Sequence, residues 1–401
     1  MTGSILTING GSSSLKFALF DNTAELTATV RGEIEDLDAA PHLLARDASG
    51  AVLAEHRWSA GGDAHPFAVA LDALLNFTDA HLGRDGLAAV GHRVVHGGAD
   101  HIVPEIITPV LVALLETLTP LDPLHMPDNL APMRAVTAAR PQLAQVACFD
   151  TAFHHTMPPV AARFALPRAL EAKGIRRYGF HGLSYEYISS CLKKQSAALA
   201  RGRVIAAHLG SGASLCALNN GGSIATTTGF SALDGLVMAT RCGSLDPGVI
   251  LYLGRQGYSF ADVEDLLYRR SGLLGVSGIS GDVRVLLASD DPHARDAIEL
   301  FTYRIALEAG AMISALGGLD GLVFTAGIGE HAPAIRTAVC ARLSWLGLRI
   351  DDAANAASAA RISTPDSKVE VCVIATDEEL MIARHTQATI NRAIVRQELA
   401  S

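Results

Sequence analysis

The chain has 401 residues, which is long for a single hydrophobic core and favours two domains. Hydrophobic residues make up 49% of it and charged residues 18%, so the chain can bury a large core and is not intrinsically disordered. The formal net charge of −9 and the absence of a basic run argue against nucleic-acid binding.

The sequence also predicts a cytoplasmic protein that makes no use of a membrane. No uncharged apolar run reaches the roughly 18 residues of a membrane span. The first residues lack the basic and apolar regions of a signal peptide. The six cysteines are scattered and include no C-x-x-C pair, which argues against a disulfide framework and a structural zinc site.

The first predicted element is a hairpin with strands at 4–8 and 15–20, around the glycine- and serine-rich loop 9–14. The same pattern returns at 203–207 and 215–218, around loop 208–214. Two copies about half a chain apart favour a duplicated domain. The alternative is a chance match, because glycine-rich hairpins are common.

Strands and helices alternate over the rest of the chain, which predicts an α/β protein. Apolar spacing predicts helices over 68–82, 109–118 and 296–316, and strands at 87–90, 144–149, 322–325 and 369–374, with a last helix from 380. A glycine loop at 326–331 follows the third of these strands and precedes Pro333, an arrangement typical of an anion or nucleotide cradle. The domain boundary is expected near residue 150.

Familiar catalytic motifs are missing: the chain has no P-loop, no complete G-x-G-x-x-G after a strand and no H-E-x-x-H. Polar residues in apolar or glycine-rich settings remain. Arg93 lies at an apolar strand end, where an anion or a structural ion pair would hold it. Asp150 ends the apolar strand 144–149, where it suits a metal, a general base or a helix N-cap. The neighbouring His154 and His155 are interpreted as mainly structural.

Two further positions complete this set. His181 lies between Phe180 and Gly182, within reach of a ligand, although a core histidine is the commoner reading. Arg241 lies in a Gly/Asp/Pro loop. Two arginines, glycine loops and scattered acids are the groups that phosphoryl transfer uses.

Nine motifs in this order resemble those of the acetate kinases almost from end to end. They are NGGSSSLK (9–16), GHRVVHGG (91–98), DTAFH (150–154), YGFHG (178–182), HLGSG (208–212), TR with LDPG (240–241 and 245–248), GISGDVR (278–284), GIGE (327–330) and TDEE (376–379). Any one of these motifs is weak evidence alone, whereas the whole ordered set is specific.

The resemblance implies the duplicated α/β fold of actin, sugar kinases and heat-shock ATPases, with an active-site cleft between two domains. Residues 1–150 with the C-terminal helix 380–401 would form one domain, and 151–379 the nucleotide-binding one. The implied reaction is direct, in-line and reversible transfer of the γ-phosphoryl group of ATP to acetate, giving acetyl phosphate and ADP. Mg²⁺, with Mn²⁺ as an alternative, and a homodimer are also implied.

Site residues carried over by the resemblance fall into five groups. The resemblance assigns metal binding to Asn9 and Glu378, and the phosphate loop to Ser12 and Lys16. It assigns catalysis to Asp150, His181 and Arg241. The acid would contact Arg93, Val95, Leu124, His125, Phe180 and Ala232. Nucleotide binding falls to His208, Leu209, Gly210, Ser211, Gly212, Asp282, Val283, Arg284, Gly327, Ile328, Gly329, Glu330 and His331.

The chain departs from the family pattern at four places, of which two concern the nucleotide and one the acid. Ser211 and His331 replace the usual asparagines, Ala232 replaces a usual proline, and C-G-S-L-D-P at 242–247 replaces S-G-D-L-D-P. Ala232 leaves the preference between acetate and a longer acid open, so a propionate or butyrate kinase is an alternative. A non-enzymatic nucleotide switch of the actin or heat-shock type is another, against which Arg93 and Arg241 count.

The role of Asp150 follows from the chemistry of the acceptor. A carboxylate has a pKa of roughly 4 and needs no base at neutral pH. Charge repulsion between acceptor and phosphate is the obstacle, so Asp150 is predicted to orient Arg241, or the metal through water, rather than to accept a proton.

Overall fold

The computed structural model describes residues 3–11, 14–37, 40–58, 66–83 and 86–400. The chain divides into two compact units. One consists of Met1–Ala152 with Asp377–Ser401, and the other of Phe153–Thr376. None of the helices within these described ranges combines the length and the apolar composition of a membrane span.

The first unit contains a mixed sheet of eight strands within those residues. The strands are β1 (Ser4–Gly10), β2 (Leu15–Asp21), β3 (Thr27–Glu35), β4 (His42–Asp47), β5 (Val52–Arg57), β6 (Leu87–Val94), β7 (Glu105–Ile106) and β8 (Ala144–Phe149). Their order is β5-β4-β3-β2-β1-β6-β8-β7. The first five strands are antiparallel neighbours, whereas β6 and β8 run parallel to β1.

Helices cover both faces of this sheet. They are α1 (Pro66–Leu82), α2 (Pro109–Thr117) and α3 (Met126–Ala139), with the last helix of the chain, Glu378–Ala400. Leu74 of α1 and Val136 of α3 pack with Leu6 on one face. The last helix lies against the other face so closely that a Cβ on Gly91 would be 2.2 Å from the Thr386 hydroxyl. Only glycine therefore fits at this point of β6.

The second unit contains a five-stranded sheet among the described residues, in the order β11-β10-β9-β12-β13. Its strands are β9 (Arg203–Leu209), β10 (Ala213–Asn219), β11 (Gly222–Thr226), β12 (Gly321–Thr325) and β13 (Glu370–Val373). The long helix Pro292–Leu316 packs Phe301 and Ile305 on one face. The helix Gly182–Gln195 packs Ile188 and Leu192 on the other.

The remaining helices of the second unit are short or peripheral. They are Pro159–Ala162, Arg168–Glu171, Ala197–Arg201, Pro247–Arg255, Phe260–Arg269, Gly272–Ser277, Val283–Leu287, Ala326–His331, Pro333–Arg342 and Asp352–Ala356. Single 3₁₀ turns lie at Thr119–Leu121, Ala152–Thr156 and Ser344–Leu346.

The two sheets share one pairing pattern, as the repeated hairpin predicted. In the first unit β3-β2-β1 is an antiparallel meander followed by the parallel strands β6 and β8. In the second unit β11-β10-β9 is the same meander, followed by the parallel strands β12 and β13. The α/β class and the duplication are therefore confirmed, and the chance-match alternative is rejected.

One sequence prediction of local structure is wrong. Residues 326–331 form a six-residue helix instead of a glycine loop. The chain turns from β12 directly into this helix because Ala326 adopts a left-handed backbone with φ of 63°. Gly327 and Gly329 read as loop residues in the sequence, yet Gly329 is buried where the helix meets the end of β12. Packing against the strand outweighs their weak helix propensity.

Candidate active site

The end of β1 brings an amide together with two buried carboxylates in the first unit. Asn9 Nδ2 donates to Glu378 Oε2 at 2.9 Å and to Glu379 Oε1 at 3.0 Å. Burial raises the pKa of Glu378, and Arg93 opposes that rise. Burial and the charge of Glu378 both raise the pKa of Glu379. A hard divalent cation would relieve this unfavourable burial of like charges.

Arg93 is held on β6 by two partners from the same unit. Its Nη2 donates to Asp150 Oδ2 at 2.9 Å, and its Nη1 donates to the carbonyl oxygen of Gly10 at 3.0 Å. Burial alone would lower the pKa of this guanidinium, but Asp150 and Glu378 outweigh burial and raise it. The structural ion pair considered for Arg93 is therefore present, and the cation is fixed beside the first loop.

Asp150 lies directly after β8, where its buried carboxylate orients Arg93. The backbone also fixes its position, since Asp150 N donates to the Val94 carbonyl oxygen at 2.9 Å. An acid already paired with a guanidinium is a poor general base. The sequence analysis predicted that Asp150 orients Arg241 or the metal, whereas the structure pairs its carboxylate with Arg93 of the same unit. A role towards Arg241 or the metal stays a prediction.

Two residues that the sequence analysis missed support this region. Asn129, on α3, accepts from Val95 N at 2.7 Å and donates to the Gly10 carbonyl oxygen at 3.4 Å, which ties the helix to β6 and to the first loop. Asp122 accepts from His125 at 2.8 Å, just before α3 begins. Neither residue belongs to the motifs that carry the resemblance, so no sequence signal pointed to them.

The second unit places His181 at the start of the helix Gly182–Gln195, in a left-handed backbone with φ of 59°. Its Nδ1 lies 2.7 Å from the Ser214 hydroxyl, which also bonds to the hydroxyl of Tyr185. The imidazole of His208 stacks on it, with ring centroids 4.1 Å apart. A left-handed residue that is not glycine is uncommon and marks a position set by its surroundings.

A polar chain links this histidine pair to the helix Ala326–His331. His208 Nδ1 lies 2.9 Å from the Ser184 hydroxyl, which lies 2.8 Å from that of Thr376. Thr376 N in turn donates to Glu330 Oε1 at 3.1 Å. Two sequence-predicted nucleotide residues, His208 and Glu330, are therefore connected through the hydroxyl group of Ser184 and through Thr376 of the TDEE motif.

Arg241 and His181 converge on Gly212. A Cβ on Gly212 would lie 2.9 Å from Arg241 Nη2 and 3.2 Å from His181 Nε2. Arg241 Nη1 also donates to the carbonyl oxygen of Ala232 at 2.8 Å, which fixes the guanidinium. The missing side chain of Gly212 thus leaves room for two cationic or hydrogen-bonding groups side by side above the loop 208–212.

A buried arginine holds the end of the helix Ala326–His331. Arg336 is fully buried, and its Nη1 donates to the carbonyl oxygens of Gly329 and Glu330 at 2.8 and 2.9 Å. Its Nε and Nη2 donate to Asn355 Oδ1 and to the Asn355 carbonyl oxygen at 2.7 and 2.6 Å. Nη2 also reaches the Ser358 hydroxyl at 3.0 Å.

The other sequence-predicted site residues occupy varied settings. Val95, Phe180 and Ala232 are buried, and Leu124 is half-buried. Asp282 caps the helix Val283–Leu287 and pairs with Arg284, whose side chain is 90% exposed. His331 is also exposed. Lys16, on β2, has a positive charge that opposes the rise in the pKa of Glu378 caused by burial. Ser12 lies outside the described residues.

The two units carry guanidinium groups, imidazoles and hard oxygen ligands. Enzymes that transfer a phosphoryl group use such groups, because cations and hydrogen-bond donors must stabilise the negative charge of the phosphoryl group during transfer. The duplicated fold, with these groups present in its two units, is that of a phosphotransferase with the actin-like fold.

Comparison with known proteins gives the family. The model described as the acetokinase family matches residues 4–384, and the chain belongs to this family. An acetate kinase of Rhodopseudomonas palustris (strain TIE-1) is 53% identical over 392 residues, which cover 96% of this chain and 98% of that protein.

Two solved structures are also similar. A propionate kinase from Francisella tularensis is 36% identical with a TM-score of 0.89, covering 96% of this chain and 100% of that one. The acetate kinase of Porphyromonas gingivalis is 35% identical with a TM-score of 0.85, covering 97% and 100%.

Proposed function

We propose that this protein is an acetate kinase, which reversibly transfers the γ-phosphoryl group of ATP to acetate and produces acetyl phosphate and ADP. Family membership and the 53% identical acetate kinase support the reaction class. The convergence of Arg241 and His181 on Gly212 is the observation that carries the proposal, since transfer needs donors fixed where charge develops.

In this mechanism Arg93 binds the carboxylate of the acid. Asp150 and the Gly10 carbonyl oxygen hold the guanidinium in place, so little reorganisation is needed when the acid arrives. The acceptor is already ionised at neutral pH, and Asp150 acts by orienting Arg93 without taking a proton. Arg241 and His181 stabilise the charge on the phosphoryl group as it is transferred.

Mg²⁺, or Mn²⁺ in its place, is the proposed metal. Asn9 and Glu378 would hold it, with Glu379 beside them, because their oxygen atoms are the hard ligands that Mg²⁺ prefers. When bound, the cation neutralises charge on the phosphates of ATP. No group of three or more His, Cys, Asp or Glu side chains placed to hold a metal ion by themselves is found among the described residues.

Propionate is the second candidate acid. The 36% identical Francisella structure is a propionate kinase. Resemblance also puts Ala232 at the pocket for the alkyl group, and an alanine in place of a proline leaves room for about one more methylene, worth roughly 1–3 kcal/mol. We propose acetate as the preferred acid and propionate as a slower alternative.

We also propose a homodimer formed through the second unit. Its helices Pro247–Arg255 and Phe260–Arg269 expose large apolar side chains: Leu251 is 62% exposed, Tyr252 59% and Phe260 94%. Exposed apolar groups clustered on neighbouring helices are typical of an interface. Analytical ultracentrifugation of the wild type and of Phe260→Asp tests this proposal. A wild type that sediments as a monomer would refute it.

A cytoplasmic location stays a prediction of the sequence.

The assay for the proposed function traps acyl phosphate as the hydroxamate. Acids of two to four carbons are each combined with ATP, GTP or pyrophosphate, with and without Mg²⁺. We expect acid-dependent product with ATP, fastest with acetate. ATP hydrolysis that is indifferent to every acid would instead support a nucleotide switch.

A further inference from the structure

Asp122 and His125 form a hydrogen-bonded pair at the start of α3. Asp122 Oδ1 lies 2.8 Å from His125 Nδ1 and accepts a second, longer bond from His125 N at 3.3 Å. Asp122 is 1% exposed, and the His125 side chain is 14% exposed. The 3₁₀ turn Thr119–Leu121 precedes the acid, and α3 follows the histidine, so both residues are anchored by regular structure.

The pairing determines which ring nitrogen is available. An ionised carboxylate only accepts hydrogen bonds, so the proton of this bond lies on Nδ1 of His125. Nε2 has no partner within the described part of the chain. The partly exposed ring therefore offers Nε2 to a ligand, in an orientation that Asp122 fixes.

Stability alone does not account for Asp122. Its second oxygen, Oδ2, is buried without a hydrogen-bond partner among the described residues, which costs about 1–3 kcal/mol for a polar group. An apolar residue at this position would avoid that cost. Asp122 also lies close enough to Arg93 for its charge to raise the pKa of the guanidinium. The pair thus shares its surroundings with the residue proposed to bind the acid.

We propose that Asp122 is a positioning residue for the transfer reaction. It holds His125 so that Nε2 is presented to an oxygen of the carboxylate or of the acyl phosphate, beside Arg93. This inference rests on the proposed function, because the ligand of Nε2 is the acid substrate. Asp122 itself makes no contact with substrate in this scheme and acts only through the imidazole.

The test compares Asp122→Ala, Asp122→Asn, His125→Ala and the double variant Asp122→Ala/His125→Ala. Asparagine keeps an oxygen that accepts from Nδ1, so it should restore most of the activity that alanine loses. The matched control is Glu105→Ala, which breaks another histidine–carboxylate pair of the first unit, His101 Nδ1 with Glu105 Oε1 at 2.8 Å. Each variant is assayed for kcat and for KM of acetate and of ATP, and its thermal midpoint is measured.

We expect Asp122→Ala to lower kcat/KM for acetate by about 10- to 100-fold, by analogy with the loss of a group that orients a metal-binding histidine. KM for ATP should stay within about twofold, and the double variant should be no worse than His125→Ala. Glu105→Ala should keep wild-type kinetics.

Three results would overturn the inference. The first is a loss of kcat/KM in the double variant that equals the sum of the two single losses, and the second is a loss in Asp122→Asn as large as that in Asp122→Ala. The third is a lower melting temperature of Asp122→Ala with unchanged acetate kinetics. A wild type without acid-dependent transfer would refute the proposed function instead, whatever the variants do.

Discussion

Adding one methyl group at Gly212 would displace the two proposed catalytic side chains without removing either of them. Gly212→Ala leaves Arg241 and His181 in the chain, and the backbone of residue 212 needs no left-handed conformation. The new Cβ would lie 2.9 Å from Arg241 Nη2 and 3.2 Å from His181 Nε2, whereas ordinary contact begins near 3.4 Å. The guanidinium must therefore retreat by about 0.5 Å and the imidazole by about 0.2 Å.

The size of the effect follows from these displacements. A misplacement of about 1 Å can lower a rate about 100-fold, so half of that distance predicts a loss of about tenfold in kcat. KM for acetate should change little, because Arg93 belongs to the first unit and keeps its partners. Stability should also change little, since both displaced groups are ends of side chains.

Gly310→Ala is the matched control. Gly310 lies in the helix Pro292–Leu316, and a Cβ there meets nothing within 4 Å. We expect wild-type kinetics and a gain in stability of about 0.5–1 kcal/mol from the better helix propensity of alanine. The assay is hydroxamate formation at saturating ATP and acetate, with the thermal midpoint measured in parallel. Equal kcat values for a folded Gly212→Ala and for Gly310→Ala would refute the proposed roles of Arg241 and His181.

Four further substitutions test the proposed roles of single residues. Arg241→Ala should lower kcat far more than it raises either KM, by about 2.7–4 kcal/mol in the barrier, and a pure KM effect in steady-state assays would contradict this. Arg93→Ala should raise KM for acetate more than KM for ATP; a change in ATP binding alone would reassign the residue. Glu378→Ala should require much more Mg²⁺ for half-maximal activity, and an unchanged Mg²⁺ titration would move the metal elsewhere. Ala232→Pro should shift the ratio of kcat/KM for acetate over propionate towards acetate, by about tenfold if the space admits one methylene, whereas an unchanged ratio would exclude this residue from specificity.

Local sequence patterns were sufficient for the framework of the fold. Short apolar segments on either side of glycine- and serine-rich loops identified both hairpins, and the strand 144–149 ends where β8 does. The error at 326–331 has a physical cause, because glycine propensity favours a loop, while the contact between Gly329 and β12 exists only in the folded chain. The helix propensity of single residues is only a weak guide, and tertiary packing overrides it at residues 326–331.

Partners within the candidate site were much harder to predict. The motifs gave Arg93 and Asp150 as separate polar residues, 57 positions apart, and nothing in the sequence pairs them. Ser184 and Ser214 resemble ordinary helix and strand residues, although each holds a histidine through its Nδ1. Residues that orient other side chains carry no distinctive local pattern, because their role depends on neighbours that folding brings together.

The buried Arg336 has a consequence for how the second unit opens. One guanidinium joins the end of the helix Ala326–His331, its own helix Pro333–Arg342 and the segment around Asn355. If one of the three segments opened alone, the Arg336 guanidinium would lose hydrogen-bond partners while it is still buried. The three segments should therefore unfold together as one cooperative unit. Amide hydrogens at the end of the helix Ala326–His331 should then exchange with solvent as slowly as those of the next helix, which is unusual for a helix of six residues.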